Sequence, residues 1–494
     1  MSNNRLILFL SFFLFHKILL CQLNILTQNR ILSRDRNFSL FENFDKNNQT
    51  NQKPFTFAYN VDFIFNSGHP NIDNNAELYS AGTNAQFSSM RFNYSSRWFS
   101  LAFEPYLISQ NGVFSSALPA LYGITNNHNA KNFVKQSNAG LRQSYVILHY
   151  KGVGMGYGIM SHWWGPGFHS ALALSTNAPS QKTYSLGTYK DLKIGNLFFG
   201  GKVIVLPYTS IKGNQLYFSG LKLNFSHHSK SSIITFGLHR TYLSGEFDDT
   251  KSNTNFSRKW TALDAARLVI EPLFGQSKKG LDYTIVGTPG FDRWDELISG
   301  YIKIKFIDQD LEIYADIASD DNRANFIDFR AHWDHTLGYQ VGIKKINSYD
   351  KYNIFFGVEF LTTRVSNTFN PKFYRGTPNT ENYYAKIDFD YFTVGGRRMG
   401  AHSGTSSDDL IFLIGLGINN SKFIMSYNKE RHGIKSQEFP ELKSEYLFSY
   451  QRKLQDNQTI YLTMEYEMLD NFTYLENKKS ISKLFWISYS FSLN

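Results

Sequence analysis

Cysteine is almost missing from this chain. Of 494 residues a single one is cysteine, Cys21, so no disulfide can form within one molecule. A small domain held together by disulfides is excluded, and so is a zinc ribbon or a two-cysteine redox site. Proline is sparse, with 12 residues, against 44 Phe and 30 Tyr. After the first two dozen residues no apolar run reaches the ~18 residues that a membrane-spanning helix needs. Mean hydropathy is −0.34 although 16% of residues are aromatic. Alternating strands give that combination when one face meets lipid and the other meets water. A formal charge of +10 raises the question of nucleic acid. The basic residues are scattered among Asn and Tyr in a chain that reads as exported, so anionic lipid headgroups or an acidic glycan are the better partners.

The export reading rests on the N-terminus. Arg5 supplies a positive start and Leu6 to Phe15 an apolar core, which is too short to span a membrane. Residues 1–21 are expected to be a signal peptide, with Gln22 as the first mature residue. Leu20 is too large for the position before a lipidated cysteine. Residues 22–53 are polar and Asn-rich and read as a short periplasmic lead-in or plug. Residues 54–494 read as an outer-membrane β-barrel.

Strand periodicity carries that last expectation. Phe55, Phe57, Tyr59, Val61, Phe63 and Phe65 alternate with Thr56, Ala58, Asn60 and Asp62, the period of a half-exposed strand. The pattern recurs through Ile302–Phe306, Leu311–Ile317, Ile354–Phe360 and Ile460–Tyr466. At the C-terminus Phe485, Ile487, Tyr489, Phe491 and Leu493 alternate with Trp486 and serines. Such a strand suits closure onto the first strand and reading by the barrel-insertion machinery. The predicted fold is all-β, a transmembrane antiparallel barrel of the bacterial outer membrane with roughly 16–20 strands and long extracellular loops. The loops are placed at Asn66–Ser80, Ile124–Asn138, Ser244–Arg258 and Ser366–Asn382. The apolar face is expected to point outward and the charges into an enclosed, watery lumen, with Lys303 and Lys305 pairing with Glu312 and Asp316.

The stretch from Lys151 to Ala178 stands apart. Gly152, Gly154, Gly156 and Gly158 share one strand face, bare and inward, while Val153, Met155, Tyr157 and Ile159 share the other. The strand runs into His162-Trp163-Trp164-Gly165-Pro166-Gly167. No catalytic constellation follows. Ser161 and His162 are adjacent and on a strand point to opposite faces. His332 and His335 are three apart, which disfavours a metal site on a strand. No cofactor and no metal is expected, and a non-enzymatic role is favoured. Sugar recognition asks for aromatic faces and planar polar groups. The candidates are His162, Trp163, Trp164 and Asn177, then Asp292, Arg293 and Trp294, then Arg397, Arg398 and His402. Buried core and interior ion pairs are the competing role for each cluster.

HWWGPG followed by ALALSTNAP, and later GGRRMGAHSG, resemble the capsule assembly Wzi family of outer-membrane proteins. Trp163, Trp164, Gly165, Pro166, Gly167, Asn177, Arg397 and His402 match the motif positions. The resemblance implies an 18-stranded barrel whose outer mouth is blocked by loops, a helical bundle at the periplasmic end, and a lectin role attaching capsular or other surface polysaccharide to the cell. Residues 22–53 are short and polar for such a bundle. An outer-membrane channel for a small or hydrophobic solute is the alternative, and a membrane hydrolase a third.

Overall fold

A computed structural model describes residues 54–69, 73–78, 84–114, 133–210, 213–245, 260–270, 294–320, 337–364, 384, 389–390, 392–395, 397–435 and 437–493. The expected signal peptide and lead-in lie outside the described residues. So do Asp292, Arg293, His332 and His335. No helix among the described residues is long and apolar enough to cross a membrane.

The strands in chain order are β1 (Phe55–Asn66), β2 (Asn84–Ser95), β3 (Phe99–Phe103), β4 (Pro105–Phe114), β5 (Phe133–Leu141), β6 (Ser144–Tyr150), β7 (Val153–Met160), β8 (Gln181–Thr188), β9 (Leu192–Ile194), β10 (Leu197–Thr209), β11 (Gln215–His228) and β12 (Ser232–Gly245). After helix α1 (Ala262–Ile270) come β13 (Trp294–Phe306), β14 (Leu311–Asp320), β15 (Leu337–Ser348), β16 (Tyr352–Thr362), the small hairpin β17 (Thr393–Val394) and β18 (Arg397–Arg398), β19 (Asp408–Ile418), β20 (Ser421–His432), β21 (Glu441–Gln455), β22 (Gln458–Asp470) and β23 (Lys479–Leu493). One sheet holds 21 of these segments, all paired antiparallel to their neighbours. β3 with β4, β5 with β6, and β8 with β9 each continue one interrupted strand, which gives a closed barrel of 18 strands. Closure is by β23 on β1, with Val61 opposite Tyr489, as the terminal pattern predicts. At the break between β3 and β4, Glu104 receives Arg91 Nε at 2.6 Å and Arg142 Nε at 2.7 Å. A buried carboxylate held by two guanidiniums satisfies the lumen side of the gap.

The connections at one rim are short, as at 151–152, 307–310 and 419–420. Those at the other rim are long, as at 161–180, 246–293 and 363–407. Long loops mark the extracellular rim of such barrels. The loop expected at Ile124–Asn138 is shorter than that, because β5 begins at Phe133. The polar sequence there hid a strand.

Side chains sort by strand parity. Met155, Phe225, Phe236, Phe412 and Met425 are exposed on the outer wall. Asp62, Ser299, Gln340 and Glu359 are buried on the inner one. α1 breaks the rule of a bare outer wall. Thr261 and Asp264 cap its start reciprocally, Thr261 N to Asp264 Oδ2 at 3.0 Å and Asp264 N to Thr261 Oγ1 at 3.3 Å. Its Ala265, Leu268 and Val269 pack on Val205, Tyr217, Leu221 and Tyr242. Those wall residues alternate with Ile204, Leu206 and Phe218 of the interior core, so α1 lies against the outside of the barrel.

The interior also departs from the expected watery lumen. Trp164, Leu172, Ala173, Leu174, Tyr384, Phe389, Phe392 and Met399 come from loops and pack against Ile204, Leu206, Phe218 and Leu243 of the wall. One side of the lumen is therefore a hydrophobic core. The charge pairing differs too. Glu312 stands opposite Lys305, but its carboxylate bonds Lys344 Nζ of β15 at 2.7 Å. Asp316 stands opposite Tyr301, not a lysine, so a register offset separates it from Lys303.

Candidate functional site: three loops locked in the lumen

The loop after β7 turns inward instead of standing on the rim. Trp164 pairs by backbone with Leu174, its N–H donating to Leu174 O at 2.8 Å. Its indole is 3% exposed and lies edge-on to Phe218, at 6.3 Å between ring centres. Gly220 of β11 makes the room, since a Cβ there would meet Trp164 Cζ3 at 2.8 Å. The next residues dock on one carboxylate. Phe168 N and Ser170 N donate to Glu359 Oε2 and Oε1, each at 2.7 Å, and His169 N at 3.2 Å. Gln340 Nε2 donates to the same carboxylate at 2.7 Å, and so does the Tyr314 hydroxyl. Gly167 allows this close approach, because a Cβ would fall 2.1 Å from Gln340 Nε2.

The later half of the loop binds two others. Asn177 is the joint. Its Oδ1 accepts from Asn74 N and from Arg397 Nη2, each at 3.2 Å, and its Nδ2 donates to Arg398 O at 3.1 Å. Ala76 N donates to Thr176 O at 2.9 Å and Ser175 N to Met399 O at 2.6 Å. Arg397 also donates to Ala76 O. Tyr384 donates its hydroxyl hydrogen to Leu172 O, and its oxygen accepts from Ala401 N at 3.1 Å. The Arg398 guanidinium stacks over the Tyr384 ring at 5.2 Å. Residues 73–78, 161–180 and the described residues of 384–407 thus form one interlocked plug. Backbone groups that a loop would otherwise leave orphaned are satisfied by its neighbours.

The sequence candidates fall in three places. Trp164, Asn177, Arg397, Arg398 and His402 are buried and build the plug. His162 and Trp163 are half-buried beside it. Trp163 Nε1 donates to Gly167 O at 3.0 Å. His162 Nε2 lies 3.1 Å from Thr183 Oγ1, and Ser161 Oγ 2.7 Å from Ser180 Oγ, so the two form no nucleophile–base pair with each other. The His162 imidazole is pushed down to about 3 by burial, with the charges of Lys202 and Lys222 adding, and it stays neutral. Trp294 is brought to none of these. It packs on the outer wall near α1. Of the glycines, Gly154 and Gly158 are covered by His149 and Tyr145, and Gly156 by Tyr189, so the face predicted bare is filled by neighbours. Gly152 with φ +89 makes the turn from β6 to β7. Pro166 is buried in the inward turn. Glu359, Asn74, Tyr384 and Gln340 were not singled out from sequence. The one signal for Glu359 was a lone carboxylate on the polar face of β16.

A closed antiparallel barrel with a lipid-facing belt and long loops on one rim is a bacterial outer-membrane protein. One family model, described as Capsule assembly protein Wzi, matches residues 66–256 of this chain. That segment holds the HWWGPG and STN motifs. Among solved structures the chain is similar to Wzi of Escherichia coli, described as an outer-membrane protein involved in group 1 capsule assembly and a carbohydrate-binding β-barrel. Identity is 11%, the match covers 87% of this chain and 83% of that one, and the TM-score is 0.57. It is also similar to OccK7 (OpdD) of Pseudomonas aeruginosa, at 8% identity over 89% of this chain and 99% of that one, with a TM-score of 0.45. At 11% identity the likeness to the Escherichia coli barrel speaks for the fold alone. No curated protein sequence matches the chain significantly.

Proposed function

We propose that the protein binds capsular or other surface polysaccharide, helps anchor it to the cell surface, and performs no catalysis. The observation that carries this reading is the plug. The family's motif residues are spent on locking three loops across the lumen, which suits a rigid binding barrel better than an open conduit. His162, which feels the charges of Lys202 and Lys222, and its chain neighbour Trp163 keep accessible surface. An aromatic face beside amines suits a sugar that carries a carboxylate.

The test is binding of purified barrel to surface polysaccharide from its own cells, wild type against Trp163→Ala. An aromatic contact is worth about 1 kcal/mol, so affinity should fall roughly five-fold while the unboiled gel mobility of the folded barrel is kept. Equal affinity for both proteins would remove Trp163 from the site. No binding by wild type would remove the lectin reading. A steady conductance in planar bilayers would favour the channel alternative.

A further inference from the structure

Beside the plug, on the wall opposite the hydrophobic core, four side chains from four parts of the chain point at one another. His169 comes from the loop after β7 and His402 from the segment before β19. Asp409 stands on β19 and Glu430 on β20. One ligand-capable atom from each lies within 4.8 Å of every other. We propose that these four residues bind a divalent transition-metal cation of the zinc class, which ties both loops to the barrel wall.

Spacing carries the argument. His169 Nε2 is 3.4 Å from Asp409 Oδ2, His402 Nε2 is 3.3 Å from the same oxygen, and His402 Nε2 is 3.7 Å from Glu430 Oε1. Good N–H···O bonds are shorter, about 2.7–3.2 Å. A tetrahedral ion with bonds of ~2.0–2.1 Å sets its ligands about 3.4 Å apart. His402 Nε2 and Asp409 Oδ2 are buried and make no hydrogen bond, while Glu430 Oε1 meets the Lys443 ammonium at 2.9 Å. The two imidazoles meet edge to face, with ring centres 4.7 Å apart, as converging ligands do.

Local charge points the same way. Lys443 Nζ is surrounded by Asp73 at 2.6 Å, Glu430 at 2.9 Å, Glu445 at 3.1 Å and Glu467 at 3.5 Å. Lys443, with His69 on Glu467 and His432 on Glu430, faces four carboxylates of which Glu430 and Glu467 are buried, and the buried Asp409 adds a fifth. Buried surplus charge is costly, and a dication supplies the missing balance. Lys443 and His432 already hold Glu430, the latter at 2.8 Å to Oε2, which makes Glu430 the weakest of the four ligands. Asn428 Nδ2 donates to Asp409 Oδ1 at 2.7 Å and so fixes which oxygen faces the pocket. It also lies 3.1 Å from His169 Nε2, a contact the ion would replace. Asn74 Nδ2 lies 3.0 Å from His402 Nδ1 and also donates to His169 O at 3.0 Å. In this arrangement His402 Nε2 carries the proton, so taking up the cation requires the Asn74 amide to turn over, its oxygen then accepting from Nδ1–H and Nε2 becoming free to ligate. Two imidazoles and two carboxylates suit zinc, cobalt or nickel, and suit magnesium and calcium poorly.

Full-length protein, folded in detergent and stripped with chelator, is titrated with cobalt(II) and then zinc. The expected result is one ion per chain, a visible cobalt spectrum of the strong four-coordinate type, its loss on adding zinc, and a folded gel band that survives higher temperature with zinc than without. Asp409→Asn and His402→Gln should lose the spectrum while keeping unboiled mobility. Wild type that takes up no ion, with heat stability unchanged by zinc, overturns the proposal and leaves a proton shared among these groups instead. Folded variants that still bind with the same spectrum overturn it too, because the ion then sits elsewhere. Should either variant not fold, the wild-type titration alone decides.

Discussion

The plug meets two unlike walls. Toward β10–β13 it is held by apolar burial: Trp164, Leu172 and Leu174 against Leu206, Phe218 and Leu297. Toward β15–β20 apolar burial is confined to Phe168 against Ile346, Phe355, Ile411 and Ile424, and charge and hydrogen bonds are added to it: Glu359 under the turn at 168–170, and Asp409 and Glu430 against His169 and His402. The first kind of contact is indifferent to pH and ions, and forgiving of small shifts. The second fixes direction, since a carboxylate that gathers three N–H groups admits one register of the loop. Apolar packing closes the lumen, and the polar wall decides which loop conformation closes it.

That contrast can be broken at its apolar end first. Trp164→Ala empties the space over Gly220 and should cost about 3–5 kcal/mol of plug docking. The barrel should still close, seen as unboiled gel mobility, while residues 161–180 become open to protease and conductance appears in bilayers. A variant with intact loops would mean that the core side is dispensable. At the polar end, Glu359→Ala leaves Phe168 N, His169 N and Ser170 N without their acceptor, while Gln340 Nε2 keeps Ser170 O. Each buried orphan costs about 1–3 kcal/mol, and relaxation should bring the total to about 2–4 kcal/mol. The sharper distinction is in kind. Hydrogen exchange should rise at residues 168–170 and stay slow at Trp164 and Leu174. Uniform exchange across the loop would show that the two walls act as one.

The wall was legible in sequence because its rule is local. Phe55 to Phe65 alternate with Asp62 and Ile64, and parity alone assigns each to lipid or lumen. β23 announced itself likewise. α1 was missed because nine residues make too short a pattern, and β5 because its first residues look like loop. The plug was half legible. HWWGPG and GGRRMGAH stood out as unusual, yet their task depends on partners far away in the chain: Trp164 needs Gly220, and Ser170 needs Glu359. Two adjacent tryptophans look alike on paper, and only the fold separates Trp164 in the core from Trp163 at its edge. The His–Asp–Glu cluster was not legible at all, since His169 and Glu430 are joined only by loop and barrel closure.

The smallest effect sits at that edge. His162 is the ionisable member of the accessible pair, and its folded value lies below that of an unfolded histidine, through burial first and Lys202 and Lys222 second. Between the unfolded value of about 6.5 and the depressed folded one, the unfolded chain holds the extra proton. His162 therefore takes nothing from stability above that range, and stability falls as pH drops through it. One group contributes at most about 1.4 kcal/mol per pH unit, and water reaching a half-buried ring keeps the real slope lower. His162→Gln should flatten the acid limb of the urea midpoint between pH 6.5 and pH 4.5, leaving the neutral plateau unchanged. A parallel shift of the whole curve would mean that the side chain acts through packing beside Thr183, and that the amines of the lumen do not reach the edge of the plug.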